Sequence, residues 1–181
     1  MIKFLIMTMT LLILSACSTM QPARYSVSVD NIQSLKKYNG IKVRISQLAL
    51  TSDFDPNCRL MGPIEPADDM SFGLFISKAF NDEFKMAGIY GKNGIDIHGE
   101  ITNIEFSSSA GLTSGYWDIS LRLESSNSYS ILVRNKYNFP SGFDAMTACN
   151  ATADALTSAI QDLIKTAISH PKFGKLLKGI Q

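Results

Sequence analysis

The chain has 181 residues, of which 45% are hydrophobic and 18% are charged, with 17 basic and 16 acidic side chains. The near balance of charges argues against a nucleic-acid-binding protein, which would need a basic field around it. A chain of this length suits a single domain with a substantial hydrophobic core.

The first element is an apolar N-terminal run that follows one positive charge, Lys3. The run covers residues 4–14 and is far shorter than the ~20 residues that a membrane-spanning helix needs. A charged start, about ten apolar residues and an exit through small residues are typical of a secretory signal peptide. We therefore predict that residues 1–16 are removed. Their removal would take away Lys3, one of the 17 basic residues, so that basic and acidic residues would be equal in number in the mature chain.

The apolar run ends on a cysteine, and Leu14-Ser15-Ala16-Cys17 resembles the lipobox of bacterial lipoproteins. The resemblance implies that Cys17 becomes the first mature residue and carries diacylglycerol on its thiol and an acyl chain on its amine. Two or more chains anchor a protein stably, whereas one is marginal. In lipoproteins of Gram-negative bacteria, an aspartate after this cysteine usually signals retention in the inner membrane. Ser18 stands at that position here, which implies the outer membrane. Residues 17–24 would form a lipidated N-terminus and tether, and residues 25–181 a single domain.

Two cysteines remain once Cys17 is lipidated, namely Cys58 and Cys149. An even pair in an oxidising compartment indicates a disulfide. The chain has no Cys-x-x-Cys motif for redox chemistry, and two thiols with two distant histidines do not make a zinc site. We expect no metal and no cofactor other than the covalent lipid.

The first half of the domain predicts two short strands, a loop and a helix. Apolar residues alternate with polar ones in two places: Tyr25, Val27 and Val29, then Ile41, Val43 and Ile45. Residues 51–67 form a proline-containing loop around Cys58. A stripe at helical spacing follows, before Gly88 ends the helix: Phe72, Phe75, Ile76, Ala79, Phe80, Phe84 and Ala87.

Three antiparallel strands follow, and their apolar residues predict a register. The alternation slips by one at Thr102-Asn103, which indicates a β-bulge. With that bulge the first two strands pair apolar with apolar: Phe106 with Trp117, Ile104 with Ile119, Ile101 with Leu121, and Gly99 with Leu123. A three-residue Ser126-Asn127-Ser128 turn, in which Asn127 is able to take a left-handed conformation, sets the pairing of the third strand. The predicted pairs are Leu123 with Ile131, Leu121 with Val133, and Trp117 with Tyr137. Asn135, opposite Ile119, interrupts this inner face.

The last main element is a helix that starts near Asp144 and ends before Pro171, with a short helical turn after it. Its apolar residues form one stripe: Cys149, Ala153, Leu156, Ile160, Leu163, Ile164 and Ala167. The basic residues beyond Asp162 suit a helix C-terminus because of the helix dipole; the alternative is a basic tail that contacts anionic lipid or an acidic partner. Each of the two predicted helices has an apolar face, and both faces can be buried against the apolar face of one sheet. We predict an α+β two-layer sandwich of order β-α-β-β-β-α, with two helices on one face of a mixed or antiparallel sheet of four to five strands.

The other face of the predicted sheet carries charges. The register places His98 opposite Glu124, Glu100 opposite Arg122, and Asp118 between Glu105 and Lys136. This pattern favours a solvated ladder of cross-strand pairs; the alternative is an acid–base site around His98. The chain has no nucleophile elbow, metalloprotease motif or phosphate-binding glycine loop. We predict no catalytic residue and no metal ligand, and expect that the chain is not an enzyme.

A candidate partner-binding surface lies at the first turn of the meander. Trp117 is predicted to point inward, so Tyr116 points outward at the base of a loop over residues 107–115. An exposed tyrosine combines apolar area with a hydroxyl, which suits an interface anchor. The candidate residues are Tyr116, Ser107, Ser108, Ser109, Gly111, Leu112 and Gly115. The alternative is a disordered hairpin tip with an incidental tyrosine.

The predicted topology resembles that of small envelope-assembly and transport-auxiliary lipoproteins, such as the lipopolysaccharide-assembly lipoproteins. No motif outside the lipobox matches them residue by residue. The resemblance implies a lipid-anchored protein of the bacterial envelope that faces the periplasm. Its expected function is that of a non-catalytic binding subunit or an assembly or transport accessory subunit, with an envelope protein or lipid as partner. The alternatives are a structural coat lipoprotein and a hydrolase of envelope components.

Overall fold

The structure of this protein is a computed structural model that describes Met20 and residues 24–178. Its helices are Val29–Leu35 (α1), Phe72–Met86 (α2), Ala145–Ser169 (α3) and Phe173–Leu176 (α4). Its strands are Val43–Ile45 (β1), Ala49–Leu50 (β2), Ile95–Ser107 (β3), Ser114–Ser125 (β4) and Ser130–Pro140 (β5). The predicted signal peptide and the lipobox with Cys17 lie outside the described residues.

The five strands form one mixed sheet. Strands β1, β3, β4 and β5 are neighbours in that order, and β2 also pairs with β3. Strands β1 and β2 run parallel to β3, whereas β3, β4 and β5 form the antiparallel meander. Helix α2 packs on β1, and helix α3 packs on β4 and β5. The predicted α+β two-layer fold is confirmed.

The register of the meander is confirmed for every pair predicted. The ladder of β3 and β4 shifts between Ile101 and Asn103, so Thr102 is the bulged residue. Ile101 and Ile104, on either side of the bulge, are both buried, because the extra residue shifts the strand by one position and so keeps both side chains on the inner face. Asn135 is a polar residue on this apolar face, and its side chain has a hydrogen-bond partner there. Its Oδ1 accepts a hydrogen bond of 3.1 Å from the hydroxyl of Thr166 on α3.

The strand predicted from Tyr25, Val27 and Val29 is wrong. Residues 24–28 join no sheet, and helix α1 begins at Val29. The hydroxyl oxygen of Ser28 accepts a hydrogen bond from the backbone N–H of Asn31 and so caps the helix. Of the three alternating residues, Tyr25 packs against the core, whereas Val29 is the first residue of α1 and is exposed.

The left-handed residue of the β4–β5 turn is Ser128, with a φ of 66°, and the prediction of Asn127 is wrong. The side chain of Asn127 instead forms hydrogen bonds to the turn and to the C-terminal segment. Its Oδ1 accepts a hydrogen bond from the N–H of Tyr129, and its Nδ2 donates to the carbonyl oxygens of Lys175 and Lys178. These bonds connect the turn to the C-terminal segment around α4.

Trp117 is the centre of an aromatic cluster in the core. Its side chain is fully buried, and its indole N–H donates a hydrogen bond of 2.9 Å to the carbonyl oxygen of Thr152 on α3. Phe54, Phe72 and Phe106 surround the indole at centroid distances of 6.4, 6.2 and 4.9 Å. The cluster joins the sheet, α3 and the loop before α2.

The predicted disulfide is confirmed: Cys58 and Cys149 are bonded, with their Cα atoms 5.8 Å apart. The bond fixes the loop before α2 to the first turns of α3. It closes a loop of 91 residues, which in the chain-entropy model stabilises the fold by about 4–5 kcal/mol.

The molecule has two opposite ends that matter for function. We call the "loop end" the end formed by residues 54–71, 108–113 and 141–144, where β3 finishes and α2 and α3 begin. The "far end" is formed by residues 86–94 and 126–129. Strand β3 has 13 residues, so at about 3.3 Å per residue the two ends lie up to ~40 Å apart.

Candidate functional site

The outward side of β3, β4 and β5, here called the open face, carries the predicted charge ladder. Arg122 Nε lies 3.4 Å from the Glu100 carboxylate, and His98 pairs in register with Glu124. His98 itself is exposed to solvent. A shallow depression of about 470 Å³ lies on this face, lined by Thr102, Asn103, Asp118, Ser120, Arg122, Leu132 and Arg134. The open face is thus polar, solvated and of mixed charge.

Tyr116 lies on this open face, as predicted from the inward direction of Trp117. Its ring is half-buried beneath Lys136, whose Nζ is 3.7 Å from the ring centroid. Burial raises the pKa of the Tyr116 hydroxyl above its ordinary value, and the negative charges of Glu105 and Asp118 raise it further. Tyr116 is therefore part of a cation–π stack and remains a neutral hydrogen-bonding group on a charged surface.

The predicted loop over residues 107–115 is shorter in the structure. Strand β3 continues to Ser107, which pairs with Tyr116, and β4 begins at Ser114, so the connection is residues 108–113. Ser108 is buried: its hydroxyl accepts a hydrogen bond from Arg59 Nε at 3.2 Å, and its carbonyl oxygen accepts one from Ser141 Oγ at 2.6 Å. These two contacts fix the connection against neighbouring loops.

The other residues of this connection divide into packed and exposed ones. Gly115 is buried in β4, where an added Cβ would lie 2.5 Å from a ring atom of Phe139 and 2.6 Å from the carbonyl oxygen of Ser107. The backbone N–H of Ser109 donates to the Ser107 hydroxyl. Ser109, Gly111 and Leu112 are exposed. The exposed part of the predicted site is therefore the tip of the connection, whereas Tyr116, expected to be exposed, is half-buried.

An apolar groove at the loop end was not predicted from the sequence. It has a volume of about 540 Å³ and is lined by Leu50, Phe54, Pro56, Ile64, Glu65, Pro66, Asp69, Met70, Ser71 and Phe72. Volumes in this range are usual for small-ligand sites. The groove depends on how residues 51–67 fold back on the start of α2, and no periodic pattern specifies that path.

A second unpredicted feature is the buried carboxylate of Glu83 on α2. Its Oε1 accepts hydrogen bonds from the Tyr25 hydroxyl at 2.6 Å, the Ser28 N–H at 2.9 Å and Asn31 Nδ2 at 3.4 Å. Burial, and then the bond to Glu83, raises the pKa of Tyr25 above its ordinary value. A sequence signal exists, because Glu83 falls within the apolar stripe of α2, seven residues after Ile76.

In the part of the chain that the structure describes, no helix is long and apolar enough to cross a membrane. The same residues contain no group of three or more side chains from histidine, cysteine, aspartate and glutamate that could hold a metal ion. No protein-family model matches this sequence, and no curated protein is significantly similar to it. A proposal for function must therefore come from the residues of this chain.

Proposed function

We propose that this chain is a lipoprotein of the bacterial envelope. Lipid on Cys17 anchors it, and its domain acts in the periplasm as a non-catalytic binding or assembly subunit. One observation carries the location: of the three cysteines, two form the Cys58–Cys149 disulfide and the third is the cysteine of the lipobox-like motif. A disulfide is typical of proteins that fold in an oxidising compartment, which is where a lipobox directs a chain.

The open face is the surface that we assign to a protein partner. It combines mixed charge with the Tyr116–Lys136 stack and a wide, shallow depression. Wide surfaces with tyrosine, arginine and polar groups are common in protein interfaces. Arg122 and Arg134 supply two guanidinium groups at the depression, which suit carboxylates on a partner.

In-cell photocrosslinking tests this assignment. We would place a photoreactive amino acid at Leu132, which lines the depression and is 45% exposed, and a matched one at Met86, which is 62% exposed at the far end. The proposal predicts a discrete adduct with one other envelope protein from position 132 and none from position 86. The adduct should weaken when Arg122 and Arg134 are both changed to serine.

The alternatives give different results in the same experiment. Adducts that contain two or more copies of this chain would support a structural coat lipoprotein. Absence of any adduct at Leu132, with the protein present at normal levels in the envelope, would contradict the open face as a protein-binding surface.

A further inference from the structure

We propose that the loop end lies against the phospholipid surface of the membrane, with the side chains of Leu60, Leu112 and Phe143 in its interfacial region. The inference rests on the lipid anchor proposed above and extends it. It assigns a membrane-contacting surface to the folded domain, separate from the open face.

Leu60, Leu112 and Phe143 have the highest exposure of the large hydrophobic residues in the described part of the chain. Their exposed fractions are 101%, 81% and 79%. All three lie on connections at the loop end. Exposed apolar side chains that are grouped at one end of a domain indicate a contact surface, whereas scattered ones need no explanation.

Backbone and side-chain hydrogen bonds hold these three connections together. Arg59, which precedes Leu60, donates from Nε to the Ser108 hydroxyl at 3.2 Å. Ser141 donates from its N–H to the Thr113 carbonyl oxygen at 2.9 Å and from its hydroxyl to the Ser108 carbonyl oxygen at 2.6 Å. The Cys58–Cys149 bond adds a covalent link. The three apolar side chains are thus presented from one connected set of loops.

The position of Met20 brings the lipid to this same end. Met20 is buried, with 8% of its surface exposed, and its Cε is 3.6 Å from where a Cβ on Gly62 would lie. Arg24 pairs with Asp68 of the loop end at 2.7 Å, so the chain is still at this end four residues after Met20.

Met20 is three residues after Cys17 in the sequence. A fully extended chain spans at most about 3.6 Å per residue, so the two Cα atoms are no more than roughly 11 Å apart. Acyl chains on Cys17 would then enter the bilayer beside Gly62, two residues after Leu60. The far end, up to ~40 Å away, could not face the membrane unless Met20 left its site.

The charges at the loop end favour a zwitterionic phospholipid surface. The exposed charges of its loops are mostly acidic: Asp55, Glu65, Asp68, Asp69 and Asp144, against Arg59. Because acidic side chains outnumber basic ones, no attraction to anionic lipid is expected, and contact depends on the apolar side chains. Leucine and phenylalanine are among the residues that enter the boundary between headgroups and acyl chains.

Fluorescence quenching by brominated lipid tests this inference on the full-length lipidated protein. The protein would be reconstituted in zwitterionic phosphatidylcholine vesicles with or without bromine on the acyl chains. The variants are Leu112→Trp, Phe143→Trp and, as a control at the far end, Met86→Trp. The native Trp117 is fully buried and gives the same background in each. We expect the added emission at positions 112 and 143 to fall by roughly half in brominated vesicles, and the emission at position 86 to be unchanged.

Each other outcome overturns the inference in a recognisable way. Unquenched tryptophans at both loop-end positions, in protein that floats with the vesicles, would show that the loop end does not contact the membrane. A blue shift without quenching would show that another protein chain covers these residues instead of lipid. If mass spectrometry found no diacylglycerol on Cys17, the proposed function and this inference would both fail, and that result is distinguishable from a failure of contact alone.

Discussion

The hydroxyl of Tyr25 donates a hydrogen bond of 2.6 Å to the buried carboxylate of Glu83, which lies 58 residues further along the chain. Ser28 and Asn31 donate to the same oxygen, and Gln161 on α3 donates from Nε2 to the carbonyl oxygen of Ser26. Residues 25–28, which lead into α1, are therefore fixed across both main helices. This contact set determines where the chain enters α1.

Replacement of Glu83 should be among the most destabilising single changes. Glu83→Ala leaves the Tyr25 hydroxyl, the Ser28 N–H and the Asn31 amide without their shared acceptor, so we expect a loss of ~3 kcal/mol in the free energy of unfolding. Tyr25→Phe removes one donor and keeps the ring that packs on Phe75, so a loss of about 1 kcal/mol is expected. Chemical denaturation measures both.

The adjacent carboxylate supplies the control for this prediction. Asp82 pairs with Lys78 and Lys85 on the exposed side of α2. Surface pairs of this kind contribute about 0–1 kcal/mol, so Asp82→Ala should be mild. Equal losses for the two substitutions would contradict a special role for Glu83.

The disulfide should be present in protein isolated without reductant. The intact mass should then be lower by two hydrogens than after reduction, and the Cys58→Ser, Cys149→Ser double variant should lose about 4–5 kcal/mol of stability in the chain-entropy model. Alkylation of both cysteines in non-reduced protein would contradict the bond.

Periodic patterns allowed the sheet and its register to be predicted, because the buried face of a meander repeats every second residue. A single bulge at Thr102 was detectable for the same reason: it shifts the apolar residues from one parity to the other. The disulfide was predictable from the two cysteines that remain once Cys17 is assigned to the predicted lipobox. Features that follow from a repeat or from covalent chemistry are accessible without a structure.

The N-terminal segment and the loop end were not predictable in this way. Tyr25, Val27 and Val29 alternate as a strand would, but hydrogen bonds to Glu83 from residues distant in sequence determine their conformation. The shared position of Leu60, Leu112 and Phe143 depends on single contacts between three loops. Such contacts leave no periodic signal, so the sequence indicated only that each residue was in or near a loop.

Gly115 and Gly111 should respond differently to the same substitution. An alanine Cβ at Gly115 would overlap the Phe139 ring and the Ser107 carbonyl oxygen, and overpacking of this kind costs about 1–3 kcal/mol. At Gly111 the Cβ would meet only the hydroxyl of Ser114, which can rotate away. We expect thermal unfolding to shift down clearly for Gly115→Ala and little for Gly111→Ala. A larger shift for Gly111→Ala would contradict the packing described for β4.

His98 distinguishes the charge ladder from an acid–base site. It is exposed on the open face, so His98→Ala should change stability by less than about 0.5 kcal/mol and leave the protein's cellular phenotype intact. The matched control is Glu124→Ala on the paired strand. Loss of function from His98→Ala, with an unchanged unfolding transition, would favour the hydrolase alternative.

Cys17→Ala tests the anchor on which the location depends. The variant should either keep its signal peptide or be released into the periplasm, because no thiol remains to carry diacylglycerol and stable anchoring needs at least two acyl chains. Labelled palmitate fed to producing cells should enter the wild-type protein and not the variant. The Cys58→Ser, Cys149→Ser variant is the control: it also loses cysteines but keeps the lipobox, so it should still take up label. Wild-type protein that takes up no palmitate would contradict the lipid anchor and with it the assignment of the loop end to the membrane.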